Sequence, residues 1–183
     1  MMEHLLGDDV EPSGQYLAEV IYGANDGIVT TFAVVSGVAG AALNPSIVLI
    51  LGAANLFADG FSMGMSNFLS RRSELDWQRS VRANDQDPPR ELADGKSPRR
   101  TALVTFLAFV VAGWAPLIPY ILDLGPTFPL SIAFTGFAFF TVGASRSLVT
   151  HRRWYVNGVE MFVVGMAAAA VAYTVGNLLG GVA

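Results

Sequence analysis

The chain has 183 residues, 52% hydrophobic and only 14% charged, with a net charge of -4, no cysteine and a mean hydropathy of +0.47. Soluble domains carry about 25% charged residues, so this composition reads as an integral membrane protein. The acidic balance, without a basic face interleaved with aromatics, argues against nucleic-acid binding, and the lack of cysteine removes disulfides, CxxC sites and redox thiols.

Residues 1–16 form an acidic arm containing Glu3, His4, Asp8, Asp9 and Glu11 and no Lys or Arg. A signal peptide needs a positive start and an apolar core, so the arm is expected to stay attached. The remainder, 17–183, is read as a five-span, all-α transmembrane domain. The first span covers about 17–43 and the second about 45–69, joined through a tight turn at Asn44-Pro45-Ser46. A charged connector, 71–100, contains Asp-Pro-Pro and Asp-Gly-Lys-Ser-Pro, which are breaker signals. The third span, about 101–122, carries Pro116 and Pro119, which predict a kink or an early helix end. Asp123-Leu-Gly-Pro-Thr turns the chain into the fourth span, about 128–149. Thr150-His151-Arg152-Arg153 leads into the fifth, about 154–179. Each apolar block is long enough to cross about 30 Å of hydrocarbon.

All eleven Lys and Arg fall in two places, between Arg71 and Arg100 and at Arg146, Arg152 and Arg153. With five spans these segments share one side with the N-terminus. The opposite side, made of the Asn44 turn, the Asp123 turn and the C-terminus, holds none. The positive-inside rule then puts the N-terminus in the cytoplasm and Ala183 outside.

Within this apolar frame, ionisable groups stand out. At bilayer depth each costs at least about 2.5–3.5 kcal/mol on insertion scales, so it marks function by default. Asp26 lies in the first span within Asn25-Asp26-Gly27. Asp59 lies in the second within Asn55-Leu-Phe-Ala-Asp59-Gly60-Phe-Ser-Met63-Gly64-Met65. Asn55, Asp59 and Met63 stand four residues apart and form one stripe, since each step advances only about 40°. Glu19 is seven residues before Asp26, nearly in line and nearer the cytoplasmic boundary. Glu160 in the fifth span, beside Met161, extends the ladder of acids, and it can also pair with Arg152 or Arg153. Met65 is a second thioether, equally suited to packing.

Graded acids of this kind suit a cation pathway, each step replacing part of the lost hydration. Carboxylate and amide oxygens suit Mg, Ca and Mn, while thioether sulfur favours later transition metals. A set of Asp26, Asn55, Asp59 and Met63 therefore fits Fe2+ or Mn2+ better than Mg2+. Protons and metal compete for such carboxylates, which makes the device an exchanger. No permanently bound cofactor is expected.

Small residues recur in the spans, as at Gly37 and Gly40, Gly60 and Gly64, and Gly176 and Gly180. They serve either close packing within one chain or a seam between two. Five helices make a thin bundle for enclosing a polar path, so a homodimer is expected.

Two stretches carry a resemblance. They are Asn25-Asp26-Gly27-Ile-Val-Thr-Thr-Phe-Ala-Val-Val-Ser-Gly and Ala58-Asp59-Gly60-Phe-Ser-Met63-Gly64-Met-Ser-Asn-Phe-Leu-Ser70-Arg-Arg-Ser-Glu74, with weaker echoes at Pro116–Tyr120 and Gly165–Gly176. On these the chain resembles the vacuolar iron transporter family over nearly its whole length. The resemblance implies a five-span homodimer with the pathway at the dimer interface. It also implies export of Fe2+, often also Mn2+, from the cytoplasm, coupled to inward proton movement. It maps the pathway carboxylate onto Asp26, an earlier acid onto Glu19 and the Ser-Met-Gly methionine onto Met63. Two departures are visible. Plant members carry a glutamate where this chain has Asn55, and Asp59 is expected to compensate. Many members insert a Glu- and Met-rich cytoplasmic domain where this connector has only about thirty residues and no Met. Metal capture would then fall to Glu19, Glu74, Asp76 and the N-terminal acids.

Other classes fit less well. An intramembrane aspartic protease needs a Gly-x-Gly-Asp context, which neither aspartate has. A ferritin-type oxidase needs Glu-x-x-His pairs, which are absent. A membrane-embedded metal-binding or assembly protein without transport is the remaining alternative. The short connector and the lack of a targeting signal favour a prokaryotic cytoplasmic membrane; in a eukaryote it would be a vacuolar-type membrane.

Overall fold

A computed structural model describes residues 15–84, 96–148 and 152–180. The described residues are helical, with turns between and no strands. The elements are α1 (Leu17–Gly40), α2 (Ser46–Asn84), α3 (Pro98–Gly113), the single turn α4 (Ile118–Ile121), α5 (Thr127–Ser145) and α6 (Trp154–Gly180). Four stretches are long and apolar enough to cross a membrane: Ser46–Val81, Pro98–Ile121, Thr127–Leu148 and Trp154–Gly180. The expectation of five such blocks meets one exception. With 24 residues α1 is long enough, but Glu19, Asn25 and Asp26 in its first half lower its apolarity.

That least apolar helix is the central one. It packs most extensively against α3 and α6 and also touches α2 and α5. Backbone-to-backbone approach makes this possible. A Cβ at Gly27 would collide with the carbonyl of Phe109, and one at Gly23 would stand 2.6 Å from the Thr105 carbonyl. At the other end of α1, a Cβ at Gly40 would meet the Tyr173 carbonyl at 2.5 Å, and one at Gly176 would strike the Gly37 carbonyl. Gly60 and Gly64 likewise receive Phe106, with Phe109 also against Gly60, and Gly180 receives Ala41. Gly40, Gly60, Gly64, Gly176 and Gly180 therefore seat helices of the same chain, the first of the two roles expected of the small residues, while the Cβ position of Gly37 is open.

Two apolar clusters fill the bundle. Phe32, Val35, Val38, Val48, Leu117, Tyr120 and Ala169 form one, while Ile28, Phe139 and Met161 form the other. The α1–α2 turn is closed by Asn44, whose Oδ1 accepts from the Ser46 amide and from Ser46 Oγ, both at 2.9 Å. The prolines act as expected. α3 stops at Gly113 and gives way to a 3-10 turn, Ala115–Leu117, and then to α4. The second helix differs from expectation, continuing unbroken past Leu69 to Asn84. Its charged extension is stitched by pairs one turn apart: Arg71–Glu74 at 2.6 Å, Arg79–Asp76 at 3.2 Å and Arg72–Asp76 at 3.9 Å. Such pairs add about 0.2–0.5 kcal/mol each on a helix surface. The Asp-Pro-Pro and Asp-Gly breakers, and the acidic arm 1–14, lie outside the described residues.

Candidate functional site

Gly23 and Gly27 face α3, so the neighbouring Asp26 is turned off that contact. It is half-buried. Its main-chain carbonyl accepts a hydrogen bond from Thr30 Oγ1 at 2.9 Å. Across the helix pair, Asp59 stands close enough to Asp26 for the two carboxyl charges to interact. The two aspartates singled out in the sequence lie on consecutive helices, within electrostatic reach of each other.

On α2 the buried edge is Val48, Gly52, Leu56, Gly60 and Gly64. Asn55 and Met63 sit beside it, half-buried, and Asp59 is exposed. Ser62 and Ser66 are also exposed. Residues 55, 59, 62 and 66 follow a 4-3-4 spacing, one continuous helical strip. A carboxylate, an amide and two hydroxyls along an apolar helix face have poor company in lipid. This strip is a polar patch on the exposed side of α2.

Met65 falls elsewhere. It lines an apolar groove with Phe61, Gly64 and Phe68 of α2 and Leu103 and Phe106 of α3, which Met63 does not line. Glu160 is also apart from Asp26 and Asp59. It faces Arg152 at 3.8 Å and Arg146 at 3.9 Å, in a cavity of about 420 Å3 shared with Tyr22, Asn25 and Met161. Asn25 is therefore the nearest link between that cavity and Asp26.

The outer acids each face a cation already. Glu19 receives Lys96 Nζ at 3.0 Å and 3.4 Å on its two oxygens, Glu74 receives Arg71, and Asp76 receives Arg72 and Arg79. Among the described residues no group of three or more His, Asp or Glu is placed to hold a metal ion. One chain thus offers a pair of carboxylates, an amide and a thioether on adjoining faces, open on one side.

Two polar ties were not found from the sequence. Asn67 Nδ2 donates to Thr105 Oγ1 at 2.8 Å, and that hydroxyl donates in turn to the Thr101 carbonyl at 2.9 Å, joining α2 to α3. The other is the Glu19–Lys96 pair. Partners 38 and 77 positions apart leave no periodic signal. The polar character of Asn67 in an apolar run was the available hint for the first.

Comparison with known proteins adds to this geometry. A model described as the VIT family matches residues 17–91 and 86–177, the two segments meeting in the connector. The protein named Vacuolar iron transporter of Plasmodium berghei (strain Anka) is 41% identical over 71 residues, 39% of this chain but only 26% of that protein. Vacuolar iron transporter 1 of Oryza sativa subsp. japonica is 26% identical over 212 aligned positions, 88% of this chain and 84% of the rice protein. Vacuolar iron transporter 1 of Arabidopsis thaliana is 23% identical, with 91% of this chain and 87% of that protein covered.

Proposed function

This chain belongs to the VIT family, and from that premise we propose that it carries a divalent transition metal, Fe2+ or Mn2+, out of the cytoplasm in exchange for protons. The observation that supports this most directly is Asp26 opposite Asp59, with Asp59 open on the chain's surface inside an apolar helix. Two carboxylates within electrostatic reach favour a cation near both, because each otherwise opposes the other's charge. Asn55 adds an amide oxygen and Met63 a thioether, the soft donor that suits Fe2+ over Mg2+. Protons neutralise the same carboxylates when the metal leaves, which ties the two fluxes together. In this reading the protein has no enzymatic role.

The open side of the strip calls for a cover. A second copy related by a two-fold axis would bring another Asp26, Asp59 and Met63 to the same seam and complete an oxygen- and sulfur-lined path. In this arrangement α1 crosses the membrane as a fifth span, shielded by its neighbours. The basic connector and the α5–α6 turn then lie in the cytoplasm with the N-terminus. Glu160 lies at the cytoplasmic end of α6 and lines an approach to Asn25.

The test is transport by purified protein in liposomes under an imposed pH gradient, offering Fe2+, Mn2+, Co2+ and Zn2+ in turn. Metal entry accompanied by proton counter-movement supports the proposal. Tight metal binding without flux would assign the protein to a non-transporting metal-binding role instead.

A further inference from the structure

We propose that Lys96 is a tethered counter-cation that occupies the Glu19 carboxylate until a divalent metal displaces it, making the pair a valence filter at the cytoplasmic mouth. This rests on the transport reading above. The ammonium contacts both carboxylate oxygens, at 3.0 Å and 3.4 Å. The side chains are only 17% (Lys96) and 12% (Glu19) exposed, so water screens the pair far less than it would an open surface bridge. Glu19 is in the first turn of α1, seven residues before Asp26 and on nearly the same face. A cation entering along this face meets an acid already neutralised from within the chain.

The backbone beside Lys96 is fixed independently of the pair. The Ser97 amide donates to the Tyr16 hydroxyl at 3.2 Å, and Pro98 opens α3. The lysine side chain can therefore leave without the backbone at Ser97 moving. A compact ammonium on a flexible four-carbon stem releases more readily than the rigid fork of an arginine. The ammonium is already positioned on both carboxylate oxygens, so it avoids the translational cost that a free cation incurs on binding. A free monovalent cation, no better matched to one carboxylate than the ammonium, is excluded by it. A divalent ion, with twice the charge and direct coordination, competes successfully. Lys96 thus acts through Glu19 as a positioning residue.

The experiment compares wild type, Lys96→Met and Glu19→Gln, measuring Mn2+ binding to the solubilised full chain and Mn2+ uptake in liposomes. Lys96→Met is expected to bind Mn2+ severalfold more tightly. Its KM should fall severalfold at unchanged maximal rate, and Na+ and K+ should become inhibitors. Adding Glu19→Gln should abolish all three effects. Unchanged or weaker Mn2+ binding in Lys96→Met would overturn the filter. The swapped pair, Glu19→Lys with Lys96→Glu, guards against simple misfolding. It should keep the thermal stability of wild type yet raise KM, whereas a wild-type KM would make the pair a structural anchor only. Tighter binding in Lys96→Met without any flux in wild type would overturn the transport reading and leave the exchange at Glu19 standing.

Discussion

Asp59 is the residue on which the departure from the plant relatives turns. If it supplies the charge that Asn55 does not, Asp59→Asn lowers metal uptake severalfold while Asn55→Asp leaves uptake near wild type. Full activity in Asp59→Asn, measured in the liposome assay, would refute that compensation. The Asn67–Thr105 hydrogen bond makes a separate, structural prediction. A double-mutant cycle with Asn67→Leu and Thr105→Val should show a coupling of about 0.6 kcal/mol in unfolding free energy, the average for interhelical hydrogen bonds in membranes. A coupling near zero would mean that the two side chains find other partners. Asp26 and Asp59 were legible in the sequence because charge within an apolar run is costly wherever the helices go. Lys96 was not, because its partner lies 77 positions away. Glu19 consequently read as a free ligand.

The helices themselves were read with mixed success, for reasons specific to each. Apolar runs located α3, α5 and α6, and Pro116 and Pro119 located the break after Gly113. The length of α2 was missed because a span ends where apolarity ends, whereas a helix ends where its backbone pairing ends. Charge pairs such as Arg71–Glu74 carry the helix on to Asn84. The role of the glycines could not be read from spacing, which is the same for packing inside one chain and between two. Their contacts within the chain differ from one glycine to the next. Gly27→Ala and Gly176→Ala drive a methyl into backbone carbonyls that cannot swing aside, so each should destabilise the protein by about 1–3 kcal/mol. Gly37→Ala meets open space and should be neutral or stabilising by up to about 1 kcal/mol, the helix-propensity gain. Thermal unfolding in detergent measures all three. Equal effects at Gly27 and Gly37 would mean that α1 does not cross α3 as closely as described.

The described residues form five long helices with the least apolar one at the centre and a polar strip on the exposed side of α2. In the five-span topology proposed above, all eleven Lys and Arg share the side that the positive-inside rule makes cytoplasmic. If two copies meet along the strip, Ser62→Cys should form a disulfide-linked dimer under mild oxidation. The natural chain has no cysteine to confuse the result. Val111→Cys, exposed on α3 and away from the strip, should remain monomeric under the same oxidant. Cross-linking of Val111→Cys but not Ser62→Cys would put the contact on another face. The most direct test of all is Mn2+ or Fe2+ uptake by Asp26→Asn protein in liposomes, with folding and assembly checked by size-exclusion chromatography. Uptake should disappear while the elution profile and thermal stability stay those of wild type. Uptake at the wild-type rate would show that the paired aspartates are not the path of the metal.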